Sequence, residues 1–386
     1  MNAPLFFANA SDARGQRFGL RTAQDRIVGP AARPGDAVID LAGRRLLPGL
    51  INAHDHLQLN SLPRLKYRRR HANVAEWIAD IAASLDNDPL LLANAARPKR
   101  ARLLAGGLKN LLAGTTTVAH HDPRHPCLDS DDFPVRVPHG SWSHSLGLDG
   151  GAAVRDACRA APQGEPWIVH AAEGVDAAAH AEFSRLEELG CIGPNTVLVH
   201  GLALDAAQQR RLAQAGGGLV WCPASNLHLF GRTIDPYPLA AQGRLALGSD
   251  SRISGSRDLL DELAVARGAS DLDDATLEAL VTTRAAALLR LPDRGHLDAG
   301  ALANLLVLPA GLALSQARRA DVELVVVKGT VRLADPRLAG VDTTDLQPVR
   351  LDGRPKLLHA DLVAALRAED VDEPGLELTP ALEALA

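Results

Sequence analysis

His54 and His56 stand one residue apart at the end of the apolar run Leu46-Leu47-Pro48-Gly49-Leu50-Ile51. Alternate residues of a strand share a face, so both imidazoles can reach one ion at a strand's C-terminal edge. An isolated His-x-His reads equally well as two surface histidines beside a turn. Here the pattern recurs. Trp167-Ile168-Val169 ends in His170, Val197-Leu198-Val199 ends in His200, and Leu245-Ala246-Leu247 runs through Gly248-Ser249 into Asp250. Imidazoles with one carboxylate and no thiolate suit one divalent ion with an open water position, zinc first and iron as the alternative. Glu173 follows His170 by three residues. It is either a solvent-facing acid opening the next helix or a carboxylate leaning over the ion, where it can carry protons to a leaving group.

Such endings do chemistry together only if the strands are parallel. Short apolar runs do alternate with helical patterns, as in Trp167 to Val169 before Asp176–Leu189 and Val197 to Val199 before Asp205–Ala215. That alternation implies βαβ units, and a parallel barrel gathers all strand C-termini on one face. The span 48–295 approaches the ~250 residues typical of a (β/α)8 barrel. Only about 45 residues separate His121 from Trp167, too few for two full βα units. The barrel is therefore expected to be abridged around strands 3–4, between Asp122 and Pro166. Val135-Arg136-Val137 is one strand candidate there and Gly151–Ala161 a helix candidate. Residues 1–47 and 296–386 are turn-rich with short apolar runs. They predict a small composite β domain built from both chain ends, with a helical pattern at His359–Ala368 and a partly mobile polar tail from Glu369.

Composition narrows the class. Of 386 residues, 46% are hydrophobic and 23% charged, which fits a soluble globular chain with a large core. The net charge of −5 argues against a nucleic-acid-coating protein. No apolar run approaches a membrane span, and Met1 to Leu20 lacks the pattern of a signal peptide. Cys127, Cys158, Cys191 and Cys222 are scattered, as expected of thiols in a reducing cytoplasm. Lysine is scarce: Lys66, Lys99, Lys109, Lys328 and Lys356 are the whole set.

These motifs resemble the amidohydrolase superfamily. The resemblance is carried by Pro48-Gly49-Leu50-Ile51-Asn52-Ala53-His54-Asp55-His56, His170-x-x-Glu173, His200-Gly201, Cys222-Pro223-Ala224-Ser225-Asn226 and Gly248-Ser249-Asp250-Ser251. Gly114-Thr115-Thr116-Thr117-Val118 and Arg294-Gly295-His296-Leu297 extend it over nearly the whole chain. Within the superfamily it is most similar to the mononuclear branch of cytosine, guanine, S-adenosylhomocysteine and triazine deaminases and chlorohydrolases. The resemblance implies that His54, His56, His170 and Asp250 hold one metal. It makes His200 a contact to the metal-bound water or substrate, with a further-ligand role left open. Asp250 would take a proton from the water, Glu173 would pass it to the leaving nitrogen, and Asn226 would line the pocket. The chain departs from the pattern at Asp55, where a small or other polar residue is more usual, and at Ser249 and Ser251 beside Asp250. Neither removes a ligand, so they bear on substrate identity. The branch bridged by a carbamylated lysine is excluded, because no lysine lies between Lys109 and Lys328.

Arg252 is a candidate anion contact or a partner of Asp258; His121 and Trp142 are candidate substrate contacts or structural residues. Cys222 reads as a core thiol, and Tyr67 to His71 as a solvated basic stretch. The expected function is attack of metal-bound hydroxide on an sp² carbon, with hydrolytic deamination of a heterocyclic amine first. Cleavage of a cyclic or linear amide, or dechlorination, is the alternative, and a non-catalytic scaffold is disfavoured by the full ligand set. The expected partners are a small-molecule substrate and a second copy of the chain, with neither nucleic acid nor membrane.

Overall fold

In the computed structural model, residues 4–378 are described. Seven parallel strands carry the central unit: β1 (Leu50–Asp55), β2 (Thr115–His120), β3 (Ser141–Ser145), β4 (Trp167–Ala171), β5 (Thr196–His200), β6 (Gly218–Trp221) and β7 (Leu245–Leu247). Strands β3 to β7 form one sheet in sequential order, and β1 pairs with β2 in another. Two hydrogen bonds join the end of β7 to β1: Asp250 N donates to His54 O at 3.1 Å, and Ser249 N to the Asn52 side chain at 3.0 Å.

The strands are short and apolar because both faces are covered; every residue of β4, β5, β6 and β7 is buried. The helices between them start where capping side chains satisfy their first N–H groups. Asp176 caps Ala177–Glu188. Asp205 and Gln208 form a capping box on Ala206–Gln214. Asp258 caps Leu259–Gly268.

The wall between β2 and β3 is reduced. The expected strand at Val135 to Val137 survives only as a bridge of Arg136 to Thr117, with Val118 N donating to Arg136 O at 2.9 Å and Arg136 N to Thr116 O at 2.8 Å. Pro138 ends the pairing, since it has no N–H to give. Among the described residues a single 3-10 turn, Pro126–Asp129, lies between β2 and β3, with no α-helix.

Helix Lys99–Leu112 packs behind β1 and β2. Gly106 permits this approach. A Cβ there would lie 2.2 Å from the Leu57 carbonyl oxygen, so only glycine lets the helix rest against the turn that follows His56.

Both chain ends contribute to a second, mixed sheet. Arg45–Pro48 pairs antiparallel with Leu305–Leu308, which joins strands before β1 to those after residue 300. Phe7, Ile27, Ile39, Leu46, Leu305, Val307 and Leu324 form its own core.

The segment after Glu369 departs from the expected mobile tail. Leu376–Leu378 adds a strand to Leu346–Leu351, and the buried Glu373 accepts from Arg252 and Arg319. Without Glu373 the buried Arg252 guanidinium would lose its acidic partner, and that pins the segment. Residues 379–386 of the expected tail lie outside the described residues.

Candidate active site

At their C-terminal ends the parallel strands deliver six chemically capable side chains to one place. His54 belongs to β1 and His56 follows it; His170 lies in β4; His200 ends β5; Glu173 and Asp250 follow β4 and β7. All six are buried. His200 (φ +70°) and Asp250 (φ +53°) adopt left-handed backbone. Histidine and aspartate enter that region more readily than most residues, and such conformations concentrate at functional sites.

The histidines' hydrogen-bond partners fix where their protons sit. His170 Nδ1 faces the His144 carbonyl at 2.8 Å, so it carries the proton and donates. His56 Nδ1 lies 3.1 Å from Asp122 Oδ2 and donates likewise. His121 Nε2 donates to Ser143 O at 2.8 Å, which leaves its Nδ1 as an acceptor facing His54 Nδ1 at 3.4 Å. His54 must therefore also be protonated on Nδ1. A neutral imidazole has one N–H, so in the neutral form all three Nε2 atoms are bare; against the cost of burial, the Asp122 hydrogen bond and nearby carboxylates raise the pKa of His56.

Those bare nitrogens converge. His170 Nε2 lies 3.2 Å from His54 Nε2 and 3.3 Å from His56 Nε2. No hydrogen stands between them, so their lone pairs repel. A cation removes the repulsion. Nitrogens bound at about 2.0–2.1 Å to a tetrahedral zinc lie roughly 3.3 Å apart, close to these two distances. The residues therefore fit a divalent ion. Burial and the neighbouring histidines hold His54 and His170 well below the usual imidazole range, which keeps them neutral and able to ligate.

The two carboxylates differ in protonation. Burial, then the charges of Asp250 and Glu182, push Glu173 well above the usual carboxylate range. Burial also opposes ionisation of Asp250, but His200, His56 and hydrogen bonds from Ser254 and Ser251 outweigh it and lower its pKa. One acid is thus protonated while the other is charged, a division that assigns acid and base roles. Asp250 Oδ1 lies 3.9 Å from His54 Nε2. Glu173 Oε1 lies 3.6 Å from His200 Nε2. His200 Nδ1 donates to Asn226 Oδ1 at 3.1 Å. Asn226 is oriented by its own donation to Thr233 Oγ1 at 3.3 Å, so the Nε2 of His200 is also bare and turned toward Glu173.

Two expected contacts, Arg252 and His121, are placed differently. Arg252 is committed to Glu373 at 2.6 and 2.9 Å and to the Arg257 carbonyl at 2.9 Å, so its guanidinium is not free for a substrate anion, and it pairs with neither oxygen of Asp258. His121 has both nitrogens engaged by Ser143 and His54, which makes it an orienting group for His54 rather than a free substrate contact. Trp142 packs edge-on against His121, with ring centroids 5.2 Å apart. In the stretch Tyr67 to His71, read as solvated, His71 is buried and faces Asp80 at 3.0 Å. Cys222 is buried, its thiol raised by burial, as a core thiol should be.

Sequence reading missed Asp122 and His144. Asp122, held at about 2 by His56 and Gln58 against the cost of burial, orients His56. The half-buried His144 ring lies 4.8 Å from that of His170. Asp122 follows β2 in the reduced wall, and His144 lies in β3 where the register against β4 shifts between Ser143 and Ser145.

Residues 143–332 match the model of the amidohydrolase family. A solved adenosine deaminase from Xanthomonas campestris, with bound zinc, superposes with a TM-score of 0.71 over 96% of this chain and 98% of that one, at 20% identity. The chain resembles the amidohydrolase superfamily in sequence and in fold. Among curated relatives, a 5-methylthioadenosine/S-adenosylhomocysteine deaminase from Syntrophobacter fumaroxidans is 26% identical over 87% of this chain and 93% of its own length. An 8-oxoguanine deaminase from Pseudomonas aeruginosa is 31% identical over 42% of this chain and 40% of its own length. No helix among the described residues is long and apolar enough to cross a membrane.

Proposed function

We propose that this protein is an amidohydrolase that hydrolytically deaminates an amino-substituted heterocycle, with a purine-like ring as the first substrate class to test. The observation that carries the reading is the convergence of three histidine Nε2 atoms, that of His170 lying 3.2–3.3 Å from the other two, beside one carboxyl of raised and one of lowered pKa. His54, His56 and His170 would hold the ion, with Asp250 and His200 beside them. Zinc suits that donor set, with iron as the alternative. A divalent ion bound there supplies Lewis acidity and makes hydroxide available at neutral pH.

The chain's own groups supply the proton path. Ionised Asp250 accepts the proton of the attacking water. Glu173, protonated by its dry surroundings, donates to the ring or to the leaving nitrogen. His200, its proton fixed on Nδ1 by Asn226, presents a bare Nε2 to the same space and orients the water or the polarised substrate. The named deaminase relatives support an aminated ring as substrate.

Ammonia release from a panel of aminopurines, with elemental analysis of the purified chain, tests the reading. One ion per chain and ammonia from at least one purine are expected. A chain that binds no divalent ion and releases no ammonia after zinc addition overturns it. Amide cleavage or dechlorination without ammonia would move the reaction class while leaving the ion site intact.

A further inference from the structure

Beneath the histidine site lies a second buried cluster that the proposed chemistry does not use. Its centre is Lys109, from the last turn of helix Lys99–Leu112. Lys109 and Asp55 are both fully buried and paired at 3.1 Å. Lys109 Nζ also reaches Asn60 Oδ1 at 2.8 Å, Ser249 Oγ at 3.1 Å and the backbone carbonyl of Asp250 at 2.8 Å. The Ser249 hydroxyl donates to the same carbonyl at 2.9 Å. Asp55 is held in turn by Asn60 Nδ2 at 2.9 Å and Asn110 Nδ2 at 2.8 Å.

Two features connect this cluster to the site. Asp55 lies between His54 and His56 in the chain, so whatever fixes its side chain fixes the strand end that carries both imidazoles. The Asp250 carbonyl belongs to a residue in left-handed conformation. Rotating that peptide would swing the Asp250 carboxylate away from His54. Two donors on one carbonyl, Lys109 and Ser249, oppose the rotation.

We propose that Lys109 and Asp55 are a positioning pair that sets the orientation of Asp250 and of the His54–His56 strand end, and so tunes ion binding without touching ion or substrate. The inference rests on the reading of the histidine cluster as a metal centre. Partners of this kind, one step removed from the ligands, typically change ion affinity or activity by about 10–100-fold.

The test replaces zinc by cobalt(II), whose visible absorption band reports the ligand arrangement directly. Lys109→Met alone leaves Asp55 charged and unpaired, so the variant that matters is Asp55→Asn/Lys109→Met, which removes both charges together. A purely structural pair predicts that this neutral variant has the parent's cobalt band, affinity and turnover. The positioning role predicts a near-parent urea midpoint, a shifted band, cobalt binding weakened about tenfold or more, and kcat lowered with little change in KM. Ser249→Ala keeps the ion pair and removes one hydroxyl from the same carbonyl. It gives the same band shift at smaller amplitude, even where the double variant does not fold. An unchanged band and affinity in a folded variant overturns the proposal. Parent protein that takes up no cobalt overturns the metal reading itself, and this inference with it.

Discussion

Two polar clusters lie buried back to back around the end of β1, and consecutive residues of one strand feed them. His54 and His56 enter the upper one, Asp55 the lower. Both are dry and rich in ionisable groups. They differ in how their hydrogen bonds close. In the lower cluster each named donor has an acceptor: Lys109 reaches four oxygens, and Asn60 and Asn110 both donate to Asp55. In the upper cluster donors are few, since four bare imidazole nitrogens and the lowered-pKa Asp250 face the single acid Glu173. A buried polar network that is closed holds a structure; one that is left open needs something from outside. The difference marks which cluster reacts and which one holds.

The largest effects come from breaking the open cluster. Glu173→Gln keeps the shape but cannot pass a proton, so turnover should fall by about 10²–10⁴-fold while ion content stays at the parent level. Retained turnover would reassign the proton to another group. Stripping the ion with a chelator should lower stability as well, because the nitrogen lone pairs then repel. At free ion of 1,000 times its dissociation constant, the bound ion contributes about 4 kcal/mol. His170→Ala should abolish that difference, leaving one unfolding midpoint with or without chelator.

The closed cluster should respond in stability first. Lys109→Met removes one partner of a fully buried pair, and such changes cost about 3–5 kcal/mol. Urea unfolding should show that loss, and Asp55→Asn/Lys109→Met should recover most of it. If the double variant is no more stable than the single one, the cost lies in packing of the lysine stem rather than in the stranded Asp55 charge.

The same contrast explains how much of the molecule is legible in its sequence. The open cluster is legible because strand alternation and parallel topology are local rules. His54, His56, His170, His200 and Asp250 each end an apolar run, and those runs are strands or lead out of them. The closed cluster is not legible. Lys109 lies on a helix, Asn60 in a turn, and Ser249 at another strand's end, so only the tertiary fold brings them together. Scarcity of lysine reads in the sequence only as an exclusion, yet one of the five lysines sits directly under the site. Asp55 is visible as a departure from the family pattern; its partner is not. Asp122 and His144 are hidden for another reason: Asp122 lies in a wall that has shed its regular strand and helix, and His144 sits at a register shift in the short polar strand β3, so neither shows the period that marks an inward residue. Arg252 shows the converse error. Its position beside Asp250 suggests a ligand contact, but Glu373, far along the chain, claims it.

Glu262 is an intermediate case and the smallest test of the contrast. It is fully buried, and one oxygen accepts from Ala224 N at 2.9 Å, capping the helix that carries Asn226. The other oxygen has no partner of normal geometry. Burial pushes its pKa up to about 8, with Asp250 adding to the rise and Ser256, Ala224 and Lys109 tempering it. Because the folded value is raised above the ordinary 4.5, the folded state holds a proton that the unfolded state gives up between pH 4.5 and 8. Stability must then fall as pH rises through that window and level off above it. Glu262→Gln keeps the cap without the titration. It should match the parent near pH 5 and exceed it near pH 8 by on the order of 2 kcal/mol, a cautious figure when each tenfold change in an acid constant carries roughly 1.4 kcal/mol. Urea midpoints at the two pH values decide it. A parent whose advantage grows toward pH 8 would mean that Glu262 is ionised in the fold, and that the helix under Asn226 is held by a charge instead of a neutral acid.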